Sequence, residues 1–135
     1  MGLFVLALGC DGGGECLIPC LSRLEIAATL PTAGAQPLSV DVCDGPMRCG
    51  STSAQSGGEC VTAGDFVVCL EGLAMTITRS YPSPFNPPPD GGPALVTLTV
   101  RGSDGTVILM EEGYATQRFE EQCGGFPCPQ RSITF

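Results

Sequence analysis

An all-β antiparallel sandwich of about seven short strands, stapled by disulfides, is the fold this sequence predicts, on three observations. Apolar and polar residues alternate in short runs, which is the period of a strand with one buried face. The 135 residues include 19 Gly and 12 Pro, which cut those runs to strand length and leave no stretch long enough for an independent helix. Nine cysteines are spread along the chain at positions 10, 16, 20, 43, 49, 60, 69, 123 and 128. That density is the mark of a protein that matures in an oxidising compartment.

The runs come in order. Residues 23–30 (RLEIAATL), 38–43 (LSVDVC), 66–71 (FVVCLE) and 75–79 (MTITR) read as strands, followed by 95–101 (LVTLTVR), 107–111 (VILME) and 131–135 (RSITF). Between the fifth and sixth runs, Asp104-Gly105 supplies the positive φ angles of a tight turn, so these two runs form a hairpin. Residues 81–93 (YPSPFNPPPDGGP) cannot donate enough ladder hydrogen bonds to be a central strand, so they form a loop or an edge connector. Tyr81 and Phe85 are the candidate binding residues of that loop; a proline-stiffened crossover between two sheets is the structural alternative. The longest uninterrupted helical candidate, residues 117–123, is too short to stand alone. About seven short strands with frequent turns are the pattern of an immunoglobulin-like sandwich, here without the tryptophan of the antibody core.

The N-terminus has a different character. Residues 3–8 are apolar, Gly9 is small, Cys10 follows, and the chain then turns polar and flexible as DGGGE. This resembles the end of a bacterial lipoprotein signal peptide, in which an apolar stretch and a small residue precede a cysteine that is acylated and becomes the mature N-terminus. The resemblance implies that residues 1–9 are part of a signal peptide, with Ala7, Leu8 and Gly9 as the cleavage box. Cys10 is then the lipid-bearing residue, residues 10–15 are a tether and residues 16–135 are the sandwich domain. No Lys or Arg precedes the apolar run, so the charged region of such a signal is expected upstream of Met1. The alternative for residues 3–8 is a buried first strand.

An odd number of cysteines in an exported protein leaves one thiol over, and assigning lipid to Cys10 leaves eight for disulfides. One nested arrangement pairs Cys43 with Cys69 and Cys49 with Cys60 in a single hairpin register. Cys16, Cys20, Cys123 and Cys128 then tie the start of the domain to its end, or close as two local loops. The sequence leaves the connectivity open. Zinc favours Cys-x2-Cys knuckles or histidine partners, and redox dithiols favour Cys-x-x-Cys, so neither fits these spacings in a chain without His. No metal or cofactor is expected.

Three segments, VDVCDGPMRC, LTVRGSDGTVIL and CGGFPCPQRSITF, together resemble a group of uncharacterised lipoproteins of myxobacterial type. That group joins a lipidated cysteine to a strand ending in a spaced cysteine pair, a late hairpin and a closing C-x4-C segment. The resemblance spans most of the chain and implies an immunoglobulin-like domain in the periplasm or at the cell surface; it implies no activity. A narrower likeness, YPSPFNP followed by VTLTVRGSDG, is similar to the opening of the immunoglobulin-like sorting domains of type IX secretion. The glycine-rich, tryptophan-bearing ending of those domains is missing from this chain.

Charge and residue types narrow the function. Fourteen acidic residues oppose six arginines, for a net charge of −8, with no basic cluster to attract nucleic acid or anionic headgroups. Without His or Lys there is no Ser-His-Asp or Cys-His arrangement, no Ser-Lys dyad and no Schiff base. Carboxylate chemistry remains, but Glu111-Glu112 and Glu120-Glu121 are adjacent pairs, and neighbours on a strand point to opposite faces. Asp41, Asp44 and the 11–15 segment carry oxygen ligands without the spaced pattern of a calcium loop. The expectation is a non-enzymatic lipoprotein of the bacterial cell envelope, anchored to the membrane through lipid on Cys10. Its domain is expected to be a structural or interaction module for a protein partner. The rivals are a secretion or surface-assembly accessory that accepts another protein at its sheet edge and Pro-rich loop, and a carboxylate-based hydrolase.

Overall fold

The computed structural model describes residues 22–46, 48–81, 95–123 and 126–135. The described residues are all-β, with ten strands: β1 (Ser22–Thr29), β2 (Leu38–Asp44), β3 (Cys49–Ala54), β4 (Val61–Ala63), β5 (Phe66–Glu71), β6 (Ala74–Tyr81), β7 (Leu95–Arg101), β8 (Val107–Tyr114), β9 (Thr116–Cys123) and β10 (Phe126–Thr134). All seven expected runs are strands, and β5 and β7 begin and end where the alternation does. The three additional strands are β3, β4 and β9; β9 occupies the segment that was the longest helical candidate.

Two sheets form. The larger has the order β4-β5-β6-β1-β10-β9 and the smaller the order β3-β2-β7-β8. All pairings are antiparallel except that of β1 with β10, which run parallel with Leu24 opposite Arg131 and Ile26 opposite Ile133. Phe135 extends this ladder by donating its backbone N–H to the carbonyl of Ala27 at 2.8 Å.

The period-2 pattern puts the core between the sheets. β2 turns Leu38, Val40 and Val42 inward and β7 turns Val96, Leu98 and Val100 inward. They meet Leu24, Ile26 and Ala28 of β1, Phe66, Val68 and Leu70 of β5, and Met75 and Ile77 of β6 in one continuous cluster. Each fully buried side chain of this size is worth roughly 1.5–3 kcal/mol over its exposed state, so a core of aliphatic residues with Phe66 and Met75 supplies the apolar burial that a tryptophan would otherwise add to.

The β7–β8 hairpin forms where Asp104-Gly105 predicts it. Gly105 has a φ of 88°, and its N–H donates to the carbonyl of Gly102 at 2.9 Å. Asp104 contributes its side chain: Oδ1 accepts from the Thr106 N–H at 3.0 Å, and that backbone bond holds the carboxyl below its ordinary value. A register shift between Val100 and Arg101 completes a bulged turn.

The nested cysteine pairing is not the one adopted. Cys43 is bonded to Cys49 and Cys60 to Cys69, with Cα–Cα distances of 4.0 and 4.3 Å. The topology forbids the nested pairing. β2 lies in the smaller sheet and β5 in the larger, so Cys43 and Cys69 look outward from opposite faces of a sandwich whose sheets are about 10 Å apart. Each bridge instead joins residues facing one another across a hairpin: Cys43 opposite Cys49 in β2–β3, and Cys60 one step beyond the Val61–Val68 pair in β4–β5.

One side of the sandwich is closed by backbone contact. A Cβ on Gly50 of β3 would lie 1.9 Å from the carbonyl oxygen of Ala63 in β4, so only glycine lets these strands from different sheets approach so closely. Gly50→Ala is expected to cost about 1–3 kcal/mol by forcing the two backbones apart, read as a fall in the urea midpoint at unchanged slope.

Candidate functional site

Arg48, Arg79, Arg101 and Arg131 each lie against a carboxylate. Arg101 Nη1 lies 3.1 Å from Asp41 Oδ2 on the outer face of the smaller sheet, and Ser51 Oγ donates to Asp41 Oδ1 at 2.5 Å. Both charged side chains are 42% exposed, so water screens the pair and it contributes at most about 1 kcal/mol. Arg79 reaches Asp65 at 3.3 Å, and its guanidinium carbon lies 5.2 Å from the centre of the Phe66 ring.

The third carboxylate, Asp44, is buried. It occupies the next inward position of β2 after Leu38, Val40 and Val42, and its side chain is fully shielded. Arg131 of β10 meets it from the other sheet with two hydrogen bonds, Nη1 to Oδ1 at 3.2 Å and Nη2 to Oδ2 at 2.9 Å. Arg48 Nε approaches the same Oδ2 at 3.7 Å. Asp41 and Asp44 are therefore engaged by arginine, and no group of three or more metal-ligating side chains occurs among the described residues. The alternation in β2 was the signal for this pair: an inward carboxylate demands a cation or a set of donors. Its partner could not be read because β10 is distant in sequence.

Arg23, Gln130 and Arg118 form one row across β1, β10 and β9, with Glu25 and Ser132 in the next. They line a polar cleft of about 90 Å³. It has room for a few waters and is well below the 300–1,000 Å³ of a typical small-molecule site.

The outer strand of the smaller sheet offers a different surface. Gly45 N donates to the Leu95 carbonyl at 2.9 Å, so Leu95, Thr97 and Thr99 turn their main-chain groups toward β2. Val96, Leu98 and Val100 then turn theirs toward Gly113, Glu111 and Leu109 of β8. The main-chain groups of Met110, Glu112 and Tyr114 face away from the sheet. Glu111 pairs with Leu98 and Glu112 with Thr97, so the two carboxylates sit on opposite faces of one exposed strand.

The remaining expected site residues fall elsewhere. Cys10, Cys16, Cys20 and Phe85 lie outside the described residues, and Tyr81 is the last residue of β6. Cys123 ends β9 and Cys128 lies in β10, with Cys123 in register with Phe126 and Cys128 with Glu120. No helix of the described residues is long and apolar enough to cross a membrane. Comparison with protein-family models, curated proteins and solved structures finds no match.

Two outcomes are expected on substitution. Arg131→Met should cost about 3–5 kcal/mol by leaving the Asp44 carboxylate buried without its main partner, whereas Asp44→Leu combined with Arg131→Met should recover most of that loss. Urea unfolding of the single and double variants reads the non-additivity. Replacing both cysteines of either bridge with alanine should cost about 2–3 kcal/mol, nearly equal for the two because the closed loops, with separations of 6 and 9 residues, differ little on a logarithmic scale.

Proposed function

We propose that the chain is an exported, non-catalytic interaction module of the bacterial cell envelope, built on an immunoglobulin-like sandwich, anchored through lipid on Cys10 and directed at a protein partner. The observation that carries the reading is the pair of cross-strand disulfides, Cys43–Cys49 and Cys60–Cys69, which indicates an oxidising, extracytoplasmic compartment. The lipoprotein-like sequence around Cys10 supplies the anchor.

Strand order supports the immunoglobulin-like reading. In that architecture one sheet carries strands A, B, E and D, and the other C, F and G, with C′ beyond C in larger members. Taking β1, β2, β3, β5, β6, β7 and β8 as B, C, C′, D, E, F and G reproduces the neighbour relations of both sheets. β10 then stands beside β1 where strand A would, supplied by the C-terminal end and running parallel to β1. Both bridges lie on outward positions of single sheets, so they brace hairpins and take no place in the apolar core between the sheets. A braced scaffold with an exposed strand at its side suits protein recognition better than it suits small-molecule binding, given the size of the one cleft described above.

Intact mass settles anchoring and oxidation together, measured with and without thiol alkylation in the absence of reductant, on protein made in a bacterium with its natural upstream sequence and isolated from membranes. The expected result is a chain beginning at an acylated Cys10 with eight unreactive cysteines. Unlipidated protein with many reactive thiols would overturn the reading.

A further inference from the structure

We infer that β8 is a docking edge for an extended, basic segment of another protein, which adds to the smaller sheet as a fifth strand. The inference deepens the interaction-module reading above and rests on it, naming the surface and the chemistry of the partner.

β8 is eight residues long and terminates its sheet among the described residues, with the main-chain donors and acceptors of Met110, Glu112 and Tyr114 directed outward. Such a row is a template for strand addition unless it is covered. The other edges are blunted or differently furnished. β4 has three residues, β3 is pressed against it through Gly50 and Ala63, and the described side chains of β9, Thr116, Gln117 and Arg118, are all polar.

The exposed apolar side chains point to the same strand. Val107 is 46% exposed, Met110 64% and Tyr114 67%, and these are three of the five large hydrophobic side chains exposed among the described residues. Met110 and Tyr114 flank Glu112 on the outer face, in register with Thr99 and Leu95 of β7, so an added strand would find apolar cross-strand contacts on either side of a carboxylate.

Charge selects the occupant. Glu111 and Glu112 present a carboxylate to each face at the middle of the strand, on a chain of net charge −8. Pairing β8 with the same strand of a second copy would gather four glutamates at the centre of the new ladder, and like charges across a ladder are destabilising. A segment with arginine or lysine at two adjacent central positions meets both carboxylates, one on each face.

The test uses the full chain, isotopically labelled, and a blocked eight-residue peptide of threonine and valine with two adjacent central arginines. In the free protein the amides of Met110, Glu112 and Tyr114 should exchange quickly with solvent. Saturating peptide should slow those three at least tenfold, leaving β5 and β6 unchanged. The same peptide with two glutamates should bind about tenfold more weakly, and the double variant E111K/E112K should reverse that preference. Slow exchange of the three amides without peptide would mean that a second copy or another segment of this chain already covers the edge, and would overturn the proposal. Equal binding of the two peptides, or binding that leaves β8 unperturbed, would also overturn it. Failure of lipidation or of disulfide formation appears in the intact mass instead, so the two readings fail separately.

Discussion

The buried Asp44–Arg131 pair fixes how the two sheets meet. Moving a carboxylate and a guanidinium out of water costs several kcal/mol for each, and their attraction offsets this only when the geometry is good. Here the fork of Arg131 meets both oxygens of Asp44, and Arg48 supplies further positive charge beside Oδ2. The pair contributes little net stability compared with an apolar pair of the same volume. Its effect is on register. Arg131 stands opposite Leu24 on the inward side of β10, with Gln130 opposite Arg23 on the outward side. A slip of one residue along β1 would turn Arg131 to solvent and leave Asp44 buried without its partner. The parallel pairing of the last strand with the first is thereby held in a single alignment.

With the registry of the sheets set in the interior, the disulfides act locally. Each joins directly opposed residues of one hairpin on an outward face, where it restrains two short loops of the unfolded chain and takes no volume from the core. The consequence is asymmetric. The side of the sandwich formed by β3 and β4 carries both bridges at or beside it and the glycine contact of Gly50 with Ala63, so it is tightly closed. The opposite side, where the chain passes from β8 through Ala115 into β9, has no such staple among the described residues.

Legibility in the sequence followed the contrast between inward and outward residues. β5 and β7 could be delimited because FVVCLE and LVTLTVR alternate cleanly. β3, CGSTSA, shows no such contrast: Gly, Ser and Thr occupy both faces, and the strand exists because β2 and the Cys43–Cys49 bridge hold it in register. β4 is too short for any period, and the first half of β10 carries Pro127 and Pro129, so the alternation marks only the residues from Arg131 onward. The same limit governed the cysteines. A single hairpin register for all four required β2 and β5 to be neighbours, and the partition of strands between sheets is set by long-range packing that spacing does not encode. Asp44 lies one residue beyond the expected run 38–43, where a further step of the alternation makes it an inward carboxylate, and a partner 87 residues away cannot be identified from local pattern.

The charges of β8 have a physical logic that joins solubility to recognition. An exposed edge carrying Val107, Met110 and Tyr114 would invite indiscriminate pairing, and inward-pointing or edge charges are a common defence against it. Glutamate provides that defence against other copies of an acidic chain, because every self-pairing brings like charges together. It gives no protection against a basic strand, for which the same two carboxylates become attractive. A sandwich that used arginine at these positions would be attracted to its own acidic surface, and one that used threonine would have no means of rejecting itself. With acidic residues elsewhere outnumbering arginines, glutamate is the choice that keeps the edge open to a partner while closing it to the protein itself.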